Sequence, residues 1–237
     1  MGLYRDRGVV LRTMRLGESD RIITLLSEGR GKVRAVAKGV RRTRSRIGGR
    51  LEPPAHVALL LWEGRELDTV TQVETIDSFR AIREDLGRLS RVTPMLEAAD
   101  QVAQEQEANG ALYRMLLGAL RALAAGDAPV LLGAFFWKLL ALDGAHPVLD
   151  RCANCSSGAD LVAFDLSAGG ALCRGCRQGV PASAGALALV EQILSGGLVA
   201  ALRLPAGPLA REVEHLATHA IEFHLERRLR SVHTMPI

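Results

Sequence analysis

Asp20–Ser27 (DRIITLLS), the turn Glu28-Gly29-Arg30-Gly31 and Lys32–Ala37 (KVRAVA) decide how this chain folds. The first run is apolar and rich in β-branched residues. The second alternates polar and apolar, which puts Lys32 and Arg34 on one face and Val33, Ala35 and Ala37 on the other. Both read as strands, separated by a glycine-containing turn. Outward from this pair lie Arg7–Met14 before it, and His56–Trp62 (HVALLLW) and Leu67–Ile76 (LDTVTQVETI) after it, the last two separated by Glu63-Gly64-Arg65. Five short strands in so little chain predict a small closed sheet. The OB barrel is the commonest architecture of that size, and it takes nucleic acid on one face and on its loops. An SH3-like barrel has the same strand count, so the count alone leaves both open.

From about residue 80 the period changes. Leu112, Met115, Leu116, Ala119, Leu120 and Leu123 recur at helical spacing, as do Leu209, Val213, Leu216, Ala220 and Phe223. Thr93-Pro94 reads as a helix start, with the helix running to about Glu107. Val130–Leu142 (VLLGAFFWKLLAL) is apolar on nearly every side, as expected of a helix buried in a bundle. It contains Lys138 and falls well short of the ~20 residues that span a bilayer. The opening MGLYRDRGVVLR has no apolar signal-like core, so the expected compartment is the cytoplasm, with no membrane partner. A hydrophobic content of 48% with 24% charged residues fits a globular chain rather than extended disorder.

Four cysteines fall in a single pattern. Cys152-x2-Cys155 and Cys173-x2-Cys176 are separated by seventeen residues, which is zinc-ribbon spacing. Each tight turn puts two thiolates on one side, and a hairpin over LVAFDLSAGGALC brings the second pair round to complete a tetrahedron. Paired disulfides suit a secreted mini-domain, and a redox CxxC normally occurs once beside a βαβ unit. A single structural Zn²⁺ held by Cys152, Cys155, Cys173 and Cys176 is the expected cofactor. Four protein ligands leave no open position for water, so the site is not catalytic.

The net charge of +4 is unevenly placed. Residues 1–78 hold 15 Arg and Lys against 10 Asp and Glu, while the remainder holds 15 against 16. Arg30, Lys32, Arg34, Lys38, Arg41, Arg42, Arg44, Arg46 and Arg50 crowd one stretch, with no acidic residue from Gly29 to Leu51. Arginine forks match phosphate geometry, and nearby glycines let the backbone approach a polyanion. These nine are therefore the expected DNA-binding residues. Tyr4, Trp62 and Phe79 are the available stacking aromatics, too few for sequence readout, so binding is expected to be mainly electrostatic.

Several catalytic patterns fail. His215 and His219 have zincin spacing, but Leu216 stands where the glutamate belongs. No His-x-Glu precedes Cys152, and the phosphate-loop frame breaks at Leu26 and Val33. A metal-dependent nuclease needs clustered carboxylates, which the basic third lacks. Arg227, Arg228 and Arg230 are expected to end the last helix, where cations favour the macrodipole. The chain is therefore expected not to be an enzyme.

Three stretches resemble the RecO family of bacterial recombination proteins. They are GVVLRTMRLGESDRIITLLSEGRGKVRAVAKGVRRTRS (8–45), LEPPAHVALLLWEGRELDTVTQVETI (51–76) and CANCSSGADLVAFDLSAGGALCRGC (152–176). The ribbon has Ser156 where a glycine often follows the second cysteine. The resemblance implies an α+β chain: an N-terminal five-stranded OB-type barrel over residues 1–78, then an all-α domain over 79–237 with the four-cysteine ribbon inserted at 150–180. It also implies a mediator of DNA repair and recombination that binds single- and double-stranded DNA, anneals complementary strands and helps load RecA recombinase in the RecF pathway. The implied partners are RecR, RecF and the acidic C-terminal tail of single-stranded DNA-binding protein, and the implied location is the cytoplasm, at the nucleoid. The main rival is a zinc-ribbon RNA-binding protein of transcription or translation, whose 2′-hydroxyl contacts leave no mark in a sequence.

Overall fold

The computed structural model describes residues 2–42, 45 and 47–233. β1 (Leu3–Leu16), β2 (Asp20–Ser27), β3 (Gly31–Ala37), β4 (His56–Trp62) and β5 (Asp68–Asp77) close into a barrel in the order β1-β2-β3-β5-β4. Every neighbouring pair is antiparallel except β3–β5, where Ala35 and Val36 run parallel to Asp68 and Thr69. That crossing is the Greek-key closure of an OB barrel, which decides between the two architectures left open by strand count. Val10, Ile23, Leu25, Val33, Ala35, Val57, Leu61 and Val73 fill the interior. The two-residue period of β3 appears directly as alternating burial, with Lys32 and Arg34 pointing out.

α1 (Arg80–Arg83), α2 (Leu86–Val102) and α3 (Gly110–Ala125) pack with the barrel as one compact unit. α2 starts eight residues before the Thr93-Pro94 expected to open it. Asp85 is its N-cap, accepting from the Arg88 amide at 2.9 Å. Pro94 therefore lies inside the helix, where it removes the hydrogen bond to Ser90, and the Thr93 hydroxyl donates back to the Leu89 carbonyl at 2.7 Å. The helix also stops at Val102 rather than near Glu107, because the chain turns out to lie along the start of β3. α2 covers the outer side of β1 and β2, so Thr24 and Leu26, which point away from the barrel interior, are buried as well.

Two contacts seat these helices. Buried His56, at the start of β4, shares a 2.7 Å hydrogen bond with the Tyr113 hydroxyl of α3. Burial, reinforced by Arg121, lowers the His56 pKa, and burial raises that of Tyr113 to about 12, so both are neutral near pH 7. Gly31 is the second point. Its φ of +66° favours glycine, and a Cβ there would sit 1.9 Å from the Glu107 carbonyl oxygen and 2.7 Å from that of Gln104.

A second unit spans Gly126–His233. α4 (Leu131–Leu142) is its buried axis, with Phe136 and Trp137 fully covered. β6 (Leu161–Asp165), β7 (Gly170–Cys173) and β8 (Val180–Pro181) form a small sheet in the order β7-β6-β8. α5 (Ala184–Leu194), α6 (Leu198–Ala201), α7 (Pro208–His224) and α8 (Arg230–His233) follow. Gly133 lets α4 and α7 approach closely, since a Cβ there would lie 3.0 Å from the Glu214 Cα. Lys138 extends from α4 to the Leu194 carbonyl at the end of α5, 3.4 Å away. The last long helix ends at His224, earlier than expected. Arg227 and Arg228 lie in the turn beyond it and Arg230 opens α8, so they do not complete that helix's last turn. No helix among the described residues is long and apolar enough to cross a membrane.

Two outcomes follow for stability. Gly31→Ala meets both left-handed backbone strain and a backbone clash, so urea unfolding should show a loss of roughly 2–4 kcal/mol. For His56, a folded pKa below the unfolded value of about 6.5 means that the unfolded chain binds the extra proton first. Stability is therefore complete above pH 6.5. It falls as pH drops below that value, by at most about 1.4 kcal/mol per pH unit, and levels off below the folded pKa. His56→Gln should flatten this limb of the stability–pH curve.

Candidate metal centre and nucleic-acid interface

The ribbon is built from two tight turns on one hairpin. In the first, the Ser156 amide donates to the Cys152 carbonyl and the Cys152 amide to the Ser157 carbonyl, both at 2.8 Å. Ser156 takes φ +62°, the conformation that the missing glycine would have supplied. In the second, the Cys176 amide donates to the Cys173 carbonyl at 3.1 Å. The β6–β7 hairpin joins the turns, and Phe164 of β6 packs edge-on against Trp137 of α4, with ring centroids 5.2 Å apart.

All four thiols are free, and their sulfurs lie within 4.8 Å of one another. Cys155 and Cys173 are 3.7 Å apart at Sγ. A tetrahedron with metal–sulfur bonds of ~2.3 Å has edges of about 3.8 Å, so this spacing fits a shared metal ion. The Cys173 amide, with those of Cys155 and Asn154, pulls the Cys152 thiol down to about 6 despite its burial. The neighbouring Cys155 and Cys173 thiols push Cys176 up to about 12. Four sulfurs this close cannot all ionise unless a cation shares their charge. The residues present therefore fit a four-thiolate metal site.

The described residues of the basic stretch do not form one open surface. Arg30, in the β2–β3 turn, pairs with Glu63 at 2.7 Å and lies 3.8 Å over the Tyr4 ring. Glu63 holds the Arg30 pKa up, and Arg30 holds that of Glu63 down. Lys32 is 3.4 Å from Asp100 and Arg34 is 3.9 Å from Glu105. Arg50 donates to the Val73 carbonyl at 2.9 Å. Lys38, Arg41 and Arg42 are exposed beside the β1–β2 turn. There the Arg41 guanidinium donates to the Glu18 carbonyl at 2.8 Å, and the Gly39 amide donates to Asp20 at 2.8 Å. That amide and the Ser19 hydroxyl, with Lys38 and Arg42 nearby, lower the Asp20 pKa. Arg44 and Arg46 lie outside the described residues.

OB barrels generally take nucleic acid on the strand 2–3 face and on the 1–2 and 4–5 loops. Here α2 and residues 103–107 close the first of these, while the 1–2 turn is flanked by the exposed cations that open the β3–β4 connection. Exposed Arg15, two residues before Gly17, adds a cation to that turn; its position was its only sequence signal. Of the three stacking candidates, Phe79 is buried, Tyr4 is covered by Arg30, and Trp62 is 47% exposed before the 4–5 loop.

The family model described as recombination protein O N terminal matches residues 1–79, and that of recombination protein O C terminal matches residues 83–233. The chain belongs to the recombination protein O family. Membership assigns it to DNA repair and recombination, and DNA binding fits both the family and the barrel.

Metal analysis of protein purified without chelator should return about one zinc per chain. Cys→Ser at any of the four positions should lower that content and the thermal midpoint, because a structural zinc contributes on the order of 10 kcal/mol of binding energy in small modules. In a Trp62→Phe background, stripping the metal should shift Trp137 emission as the Phe164 contact loosens. Disulfides without metal in freshly purified protein would count against the site.

Proposed function

We propose that this chain binds single- and double-stranded DNA without sequence readout, anneals complementary strands and assists recombinase loading in the RecF pathway. The observation that supports it best is the exposed set Lys38, Arg41 and Arg42, which opens the β3–β4 connection and packs beside the 1–2 turn of an OB barrel, in a chain of a recombination family. Two complementary strands repel through their phosphates. A cationic surface that binds both lowers the repulsion, and base pairing then supplies specificity. On this reading no covalent bond is made or broken, and neither ATP nor Mg²⁺ is required. The ion in the ribbon is zinc with a structural role, as thiolate ligands favour. RecR, RecF and the acidic tail of single-stranded DNA-binding protein are the partners this reading includes.

Lys38→Ala combined with Arg42→Ala removes two exposed cations and leaves the Arg41 contacts to the turn in place. Anisotropy titrations should show weaker binding to all single-stranded sequences alike, with a log–log salt slope smaller by about 1.4. Annealing should slow in parallel. An unchanged slope, with binding lost instead in Arg227→Ala/Arg228→Ala, would move the DNA site to the second unit.

A further inference from the structure

The cations of β3 already have anionic partners, and the chain itself supplies them. Between α2 and α3, residues 103–109 form a strap lying along the start of β3. The Lys32 amide donates to the Gln104 carbonyl at 2.8 Å, and Glu105 makes isolated strand-like bridges with Gly31 and Lys32. The Glu105 carboxylate reaches Arg34 at 3.9 Å. One turn earlier, Asp100 takes Arg12 at 2.6 Å and Lys32 at 3.4 Å. Carboxylates thus occupy the outward side of β3, the part of an OB barrel on which phosphates would run.

The two acids are held differently. Asp100 is 8% exposed at its side chain and is fixed within α2. Glu105 is 57% exposed, and an exposed pair of this kind contributes little to stability. The strap is anchored at both ends, by the Ala103 amide on the Ala99 carbonyl and by the Asn109 side chain accepting from the Leu112 amide. Between these anchors Gln104–Ala108 are exposed, and Gln106 holds φ +60°. Releasing the Glu105 side chain therefore costs little, and lifting the strap gives up the Lys32–Gln104 backbone bond and the Glu105 bridges, next to a residue in the sparsely populated left-handed region.

We propose that residues 104–108 are a displaceable acidic cover on β3: nucleic-acid phosphates compete with Glu105 for Arg34, and the strap lifts when the barrel is loaded. The inference rests on the reading that the barrel binds DNA. It makes affinity depend on an internal competitor as well as on the exposed cations beside the 1–2 turn.

The test is Glu105→Gln beside Glu74→Gln, an equal charge change at an exposed position of β5 on the same barrel. Glu105→Gln should tighten single-stranded DNA binding roughly three- to ten-fold and steepen the salt slope by about 0.7, the equivalent of one more phosphate contact. The gain should vanish in an Arg34→Gln background. Hydrogen exchange at the Lys32 amide should speed up when the wild-type protein is saturated with DNA. If Glu105→Gln matches Glu74→Gln while the wild type binds DNA, or if the Lys32 amide stays protected in the complex, the cover is wrong and the DNA reading stands. If neither wild type nor Glu105→Gln binds DNA, both fall.

Discussion

Asp100 is the charge around which the first unit is organised. A carboxylate at that depth costs several kcal/mol to remove from water, and it persists because Arg12 from β1 and Lys32 from β3 approach it from two sides. One side chain thereby ties the long first strand, the third strand and α2. Its Oδ1 has no hydrogen bond within normal range, so the looser Lys32 contact supplies that oxygen's compensation through charge. The arrangement also accounts for Gly31. With α2 drawn against β1 and β3, the chain leaving the helix must pass over the β2–β3 turn, where no side chain fits.

The second unit depends on a different kind of constraint. Its hairpin has only a small core, built on Cys152, Ala163, Leu172 and Cys173. Two things hold it: the clustering of four sulfurs, whose mutual repulsion on ionisation a metal ion removes, and the Phe164–Trp137 contact with the buried axis of the unit. The metal centre and the helix packing are therefore linked through one aromatic pair.

Charge at the barrel surface is more closely balanced than the run of arginines suggests. Arg30, Lys32 and Arg34 each face a carboxylate, brought by the 4–5 loop, by α2 and by the strap after it. Among the described residues, exposed Lys38, Arg41 and Arg42 open the β3–β4 connection and gather beside the 1–2 turn, around Asp20 and the carbonyls of Gly17 and Glu18.

Period and spacing determined much of this protein from its sequence. The alternation in Lys32–Ala37, the apolar run His56–Trp62 and the C-x2-C pairs fix strands and thiol turns because each is a local property of neighbouring residues. The helical stripes of α3 and α7 were legible for the same reason. Thr93-Pro94 misled because its local preference for a helix start was outweighed by the Asp85 cap and by burial of Met95, Ala98 and Ala99. The parallel β3–β5 closure, the burial of Asp100 and the pairing of β3 cations with acids some seventy residues away were decided only by the tertiary structure. Electrostatic partners are set by distance in space. A stretch without acidic residues in sequence carries no information about the carboxylates that folding brings to it.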